Sequence, residues 1–87
     1  RIDIMAISQI VEHVTKITTQ VVKVNEAKVR SDDEKLDITI NISIRPDGRN
    51  IVEISRLIQK RIVSAVSYFT GMDIKTVNVK IEEVLFQ

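Results

Sequence analysis

The chain has no cysteine, a single proline, two glycines, one histidine and three aromatic residues. Without cysteine there is no disulfide framework and no thiolate chemistry, a composition that agrees with a reducing compartment. The sole histidine, His13, has no cysteine or second histidine to join it, so neither a nucleophile–base pair nor a transition-metal site has its material. Positive charge is not in surplus: 13 Lys and Arg stand against 12 Asp and Glu, for a net charge of +1, and non-specific phosphate binding usually needs more. No run approaches the roughly 18 to 20 apolar residues of a spanning helix, and the N-terminus has no signal-peptide pattern. The acidic run Asp32, Asp33, Glu34 lacks the spaced oxygen ligands and the glycine of a calcium loop. Ser64, Ser67 and Thr70 have no Gly-rich phosphate loop or nucleophile elbow around them. The expectation is a non-enzymatic domain with no catalytic residue, no metal and no cofactor.

What the chain does have is β-branched side chains: 15 isoleucines and 12 valines against three leucines. That bias favours sheet and weakens helix propensity. At 87 residues one core must serve the whole chain, because two would each bury too little surface. Residues 1–87 therefore read as a single domain. The start at Arg1 without a methionine suggests a fragment of a longer chain.

Along the sequence, Ile2, Ile4 and Ala6 alternate with Asp3 and Met5 and suggest a short half-buried or edge strand ending near Ser8. From Ser8 as N-cap, Ile10, Val14, Ile17 and Val21 recur at helical spacing, with Val11 and Val22 widening the stripe. Ala27 and Val29 then alternate with Lys28 and Arg30, and residues 31–34 make a charged turn. The clearest signal follows. Leu36, Ile38, Ile40, Ile42 and Ile44 point one way while Asp37, Thr39, Asn41, Ser43 and Arg45 point the other, the mark of a half-buried strand in a hairpin with the segment before it.

Pro46, Asp47 and Gly48 break that strand, and Asn50 with Glu53 has the spacing of a capping box opening a long helix. Its expected buried stripe is Ile51, Ile54, Ile58, Ile62, Ala65 and Phe69, flanked by Leu57 and Val66. Gly71 ends it in a left-handed conformation. Val77, Val79 and Ile81 form a last strand, where the Glu82-Glu83 doublet suggests a bulge or the strand end. The reading is α+β, in the β-α-β-β-α-β order of the ferredoxin-like split βαβ fold, with two helices on one face of an antiparallel sheet. Loss of the first strand shortens it to α-β-β-α-β.

From Ile42 onward the order Asn50-Ile51-Val52-Glu53, Ile58-Gln59 and Thr70-Gly71-Met72-Asp73-Ile74-Lys75-Thr76-Val77-Asn78-Val79 resembles the alkaline shock protein family. The Pro46-Asp47 turn, and Lys23 where that family usually has glycine, look more like its membrane-anchor branch. The resemblance implies a scaffold or anchor module for cell-envelope stress homeostasis, cytoplasmic or at the inner face of the membrane. Its partner would be a same-family homologue or a second copy of the chain, with membrane contact indirect or through a segment upstream of Arg1.

Nucleic acid is not an expected partner, since Asp37, Thr39, Asn41, Asn78 and Lys80 on the open sheet face include no aromatic to stack a base. Asn41, Ser43, Glu53, Arg56, Lys60 and Asn78 are the candidate partner-contact residues. The alternative is a ring-building oligomerisation domain of a secretion or sporulation apparatus, and a small RNA-binding domain stands third.

Overall fold

The computed structural model describes residues 3–86. Its elements are α1 (Ile4–Lys16), β1 (Val21–Asp32), β2 (Lys35–Ile44), α2 (Ile51–Thr70) and β3 (Asp73–Val84). This is the shorter α-β-β-α-β order.

The expected strand before Ser8 is not formed; Ile2 lies outside the described residues. Asp3, not Ser8, caps α1, its Oδ1 accepting the Met5 backbone N–H at 3.0 Å. The period-2 pattern covered too few residues to outweigh a cap and a helical repeat, and Ile7, Val11 and Thr15 form the buried stripe at spacings of four. At the other end the Thr15 and Thr18 hydroxyls donate to the carbonyls of Val11 (2.7 Å) and Val14 (3.2 Å). Such back-bonding competes with regular helix, and α1 stops at Lys16. Val21 and Val22, expected on the helical stripe, belong to β1.

Two irregularities explain why the start of β1 is hard to read. Val21 pairs with Ile44 and Lys23 with Ser43, then Val24 pairs with Ile42 and Glu26 with Asn41, so Val22 and Asn25 are extra residues in the ladder. Each bulge turns a spacing of two into three. The core-facing residues Val21, Val24 and Ala27 thus acquire a helix-like repeat inside a strand.

The hairpin joining β1 to β2 turns through Asp33 and Glu34, at φ +53° and +65°, the two positive values a two-residue type I′ turn requires. Neither residue is glycine. Glu34→Gly is expected to raise stability by about 0.5 to 1 kcal/mol, relief of left-handed strain exceeding the added unfolded-state entropy. A thermal melt checks this, and a lower Tm would contradict the turn.

After β2, Asp47 (φ +52°) and Gly48 (φ +80°) reverse the chain behind Pro46. Asn50 caps α2 through Oδ1, which accepts from Val52 N (2.8 Å) and Glu53 N (3.3 Å). Gly71 closes α2 at φ +68°, its N–H donating to the Ser67 carbonyl at 2.9 Å. The buried stripe of α2 is Ile54, Ile58, Ile62 and Val66. Two residues expected on it are not covered: Ile51 and Phe69 are 39% and 62% exposed. Both have the right helical azimuth but sit at the helix ends, past the width of the opposing layer.

The sheet order is β1-β2-β3, with β2 in the centre. β3 runs parallel to β2, so the sheet is mixed where a wholly antiparallel one was expected. The cause is the connection: α2 carries the chain back along the sheet, and a strand–helix–strand crossover delivers its second strand parallel to the first. β3 also carries two extra residues, Lys75 and Glu82, the second at the glutamate doublet where the sequence suggests a bulge. Both helices cover the face bearing Leu36, Ile38, Ile40, Ile42 and Ile44, all of them fully buried. Neither helix is long and apolar enough to cross a membrane, among the described residues.

Candidate interaction surface

The face of the sheet away from the helices is polar, and the bulges organise it. Asn25 on β1 and Glu82 on β3 are both extra residues, and they flank Asn41 and Ser43 of β2. The Glu82 carboxylate accepts from Asn25 Nδ2 (2.9 Å) and Asn41 Nδ2 (3.1 Å) on different strands, and Asn25 also reaches Ser43 Oγ at 3.2 Å. One carboxylate thereby ties three strands together. Nearer the hairpin, Thr76 Oγ1 donates to Asp37 Oδ1 at 2.7 Å. The ion pairs Lys28–Glu26 (3.9 Å) and Lys75–Asp32 (3.6 Å) are more than half exposed and contribute little.

This network changes the standing of the candidate contact residues. Ser43 is 3% exposed, because Asn25 lies over it, and it offers a partner almost no surface. Asn41 is half-buried with its amide committed to Glu82. Asn78 is exposed, on the Lys28–Thr39–Asn78 row across the sheet. Glu53, Arg56 and Lys60 are exposed on α2, on the opposite side of the molecule. The six candidates therefore form two separate surfaces and not one site.

Among the described residues the sheet has two free edges, the outer sides of the 12-residue strands β1 and β3. Such edges are open to pairing with another strand, and bulges moderate that tendency. On the β3 side, Gln59 of α2 donates through Nε2 to the Val77 carbonyl at 3.0 Å.

Sequence reasoning missed the apolar side chains that stand in solvent. All three aromatics are exposed: Tyr68 by 83%, Phe69 by 62% and Phe86 by 80%. Tyr68 and Phe69 pack edge to face with ring centroids 5.0 Å apart. A helical wheel already sets Tyr68 about 100° from Ile58 and its neighbours, which was the available signal.

Two helices on one face of a three-stranded mixed sheet, in the order α-β-β-α-β, can now be set beside known structures. The fold is that of the MamM C-terminal domain. A structure of its residues 215–293 superposes with a TM-score of 0.65 at 18% identity, covering 93% of this chain and 99% of that one. A variant with one aspartate changed to alanine gives 0.64 at 18% identity over 93% and 98%. A nickel form gives 0.62 at 19% over 91% and 96%. At these identities the likeness is one of fold. No family model matches the chain, and no curated protein does.

These findings overturn the resemblance to the alkaline shock protein family. The motifs behind it, a capped helix, a Thr70-Gly71 helix end and alternating valines, describe a helix-to-strand unit that unrelated folds share. The envelope-stress role loses its basis with it. Variants of the MamM domain are named for changes at aspartate, histidine, cysteine and glutamate; of these residue types this chain has no cysteine and a single histidine, His13. Among the described residues no three His, Cys, Asp or Glu side chains converge as a metal site.

Proposed function

We propose that this chain is a self-associating regulatory domain of a cation transporter, of the type that the MamM C-terminal domain represents among the cation diffusion facilitators, and that it works by binding and assembly without catalysis. The observation that carries the reading is the end-to-end superposition, over 93% of this chain and 99% of that domain. The two open edges of the sheet, the exposed aromatics and the modest core of an 87-residue chain favour burial of further surface against a second copy, for which a stable contact needs roughly 800 Å² per partner. In this reading the domain lies on the cytosolic side, beside the membrane part of its transporter.

Sedimentation velocity over roughly 1 μM to 1 mM tests it. The mass is expected to rise from 9.9 kDa to twice that value and stop there. Self-association is expected to persist in EDTA, since this chain has one histidine and no cysteine to build a shared metal site. A constant monomer mass across the range sinks the reading, and growth into closed rings favours the ring-building alternative. Asn78→Arg on the sheet face and Arg56→Glu on the helical face assign the contact to one surface, according to which of them weakens it.

A further inference from the structure

We infer that the crevice between α1 and α2, on the side away from the sheet, is a docking groove for an acidic amphipathic helix of a partner protein. Tyr68 is also one of the exposed aromatics on which the self-association reading draws, so the test must tell a second copy from a different partner. Val14 and Ile17 form one wall, Ala65 and Tyr68 the other, and Lys60 and Arg61 stand along it. Ile17 and Tyr68, on opposite walls, are 61% and 83% exposed. Ala65 is the smallest of these side chains and half-buried, and the hollow opens over it. Large apolar groups are held out of the core on both sides of a shallow, open groove that can take the apolar ridge of a helix.

Charge decides the kind of helix. No aspartate or glutamate lines the groove. Among the described residues, both ion pairs are on the sheet, Lys28 with Glu26 and Lys75 with Asp32, and Lys60 and Arg61 have no carboxylate partner. Arg61 is also fixed in place. Its Nη1 donates to Thr18 Oγ1 at 3.2 Å across from α2 to the end of α1, and its remaining N–H groups stay available. A guanidinium already oriented loses less rotamer entropy on meeting a carboxylate. The complementary ligand carries leucine-like residues at spacings of three and four, with acidic residues beside them.

The test uses a fluorescein-labelled helical peptide with leucines on one stripe and glutamates on both flanks, its counterpart with lysine in place of each glutamate, and vesicles of phosphatidylglycerol. Anisotropy is expected to saturate with the glutamate peptide at a Kd at least about tenfold below that of the lysine peptide. Lys60→Glu combined with Arg61→Glu is expected to reverse that preference. Both residues are exposed, so the double variant should keep the fold, which circular dichroism verifies. Ala65→Phe is expected to fill the hollow and remove binding of the glutamate peptide.

Equal affinity for the two peptides overturns the proposal, as does binding that survives Ala65→Phe. Vesicle binding without saturable peptide binding overturns it in favour of a membrane surface. If Ala65→Phe converts a self-associated form to monomer, the groove is the contact between copies and the docking proposal falls. Mass reads self-association and anisotropy reads docking, so either idea can fail alone.

Discussion

Ile40→Ala is expected to lower the unfolding free energy by about 3 kcal/mol, within the range of about 2 to 5 measured for truncating buried isoleucines and leucines to alanine. Ile40 lies mid-way along the central strand, pairs with Ala27 on β1 and Val79 on β3, and is fully buried. Strands on both sides and helices above leave the surroundings little freedom to collapse into the cavity. The loss is large against the whole, since a chain of this length has a net stability on the order of 4 to 13 kcal/mol. Urea unfolding followed by circular dichroism measures it as a fall in midpoint at unchanged slope. The adjacent Thr39→Val, on the open face, serves as control and should change stability by no more than about 0.5 kcal/mol. A loss below about 1 kcal/mol for Ile40→Ala would mean that the central strand is not enclosed as described.

The second large effect is a contrast within α2. Ile58→Ala is expected to cost about 3 kcal/mol, because Ile58 is fully buried between Ile54 and Ile62 on the stripe that meets the sheet. Phe69→Ala, eleven positions further on at the same helical azimuth, is expected to cost no more than about 0.5 kcal/mol, because its ring is 62% exposed. Side-chain size alone would order these the other way, since phenylalanine loses more volume than isoleucine. Parallel urea titrations of the two variants decide between pattern and position. A Phe69→Ala cost equal to that of Ile58→Ala would place Phe69 in the core.

That contrast marks where sequence periodicity stops being informative. A helical wheel gives the azimuth of each residue but not the length of the surface opposite, so it assigned Ile51 and Phe69 to a core that ends before reaching them. β1 poses the converse problem. Val22 and Asn25 each add a residue to its ladder, and the resulting three-residue spacing of Val21, Val24 and Ala27 resembles a helix. β2 has no such insertion of its own, and its five alternating apolar residues were legible throughout. The breaks and caps around α2 were legible as well, because Pro46, Gly48, Asn50 and Gly71 act through local backbone geometry.

The candidate contact residues fared differently. Alternation correctly places Asn41, Ser43 and Asn78 on the open side of the sheet, yet Ser43 is buried and Asn41 engaged. Both outcomes depend on the Asn25 and Glu82 side chains arriving from neighbouring strands, 18 and 41 positions away in the chain. The groove between α1 and α2 is similarly non-local, joining Val14 and Ile17 to residues more than 40 positions later.

The sequence by itself determined what depends on near neighbours and on composition: the α+β class, the half-buried strand from Leu36 to Ile44, the stops and caps of α2, and the lack of thiol or paired-histidine chemistry. Tertiary structure alone decided the parallel pairing of β3, the exposure of the aromatics, the polar network that covers Ser43, and the place of Lys60 and Arg61 beside an apolar groove. Backbone preference and side-chain alternation act over a few residues and are written in order along the chain. Burial and charge pairing depend on which distant segments meet, and that is fixed only once two helices and three strands have packed.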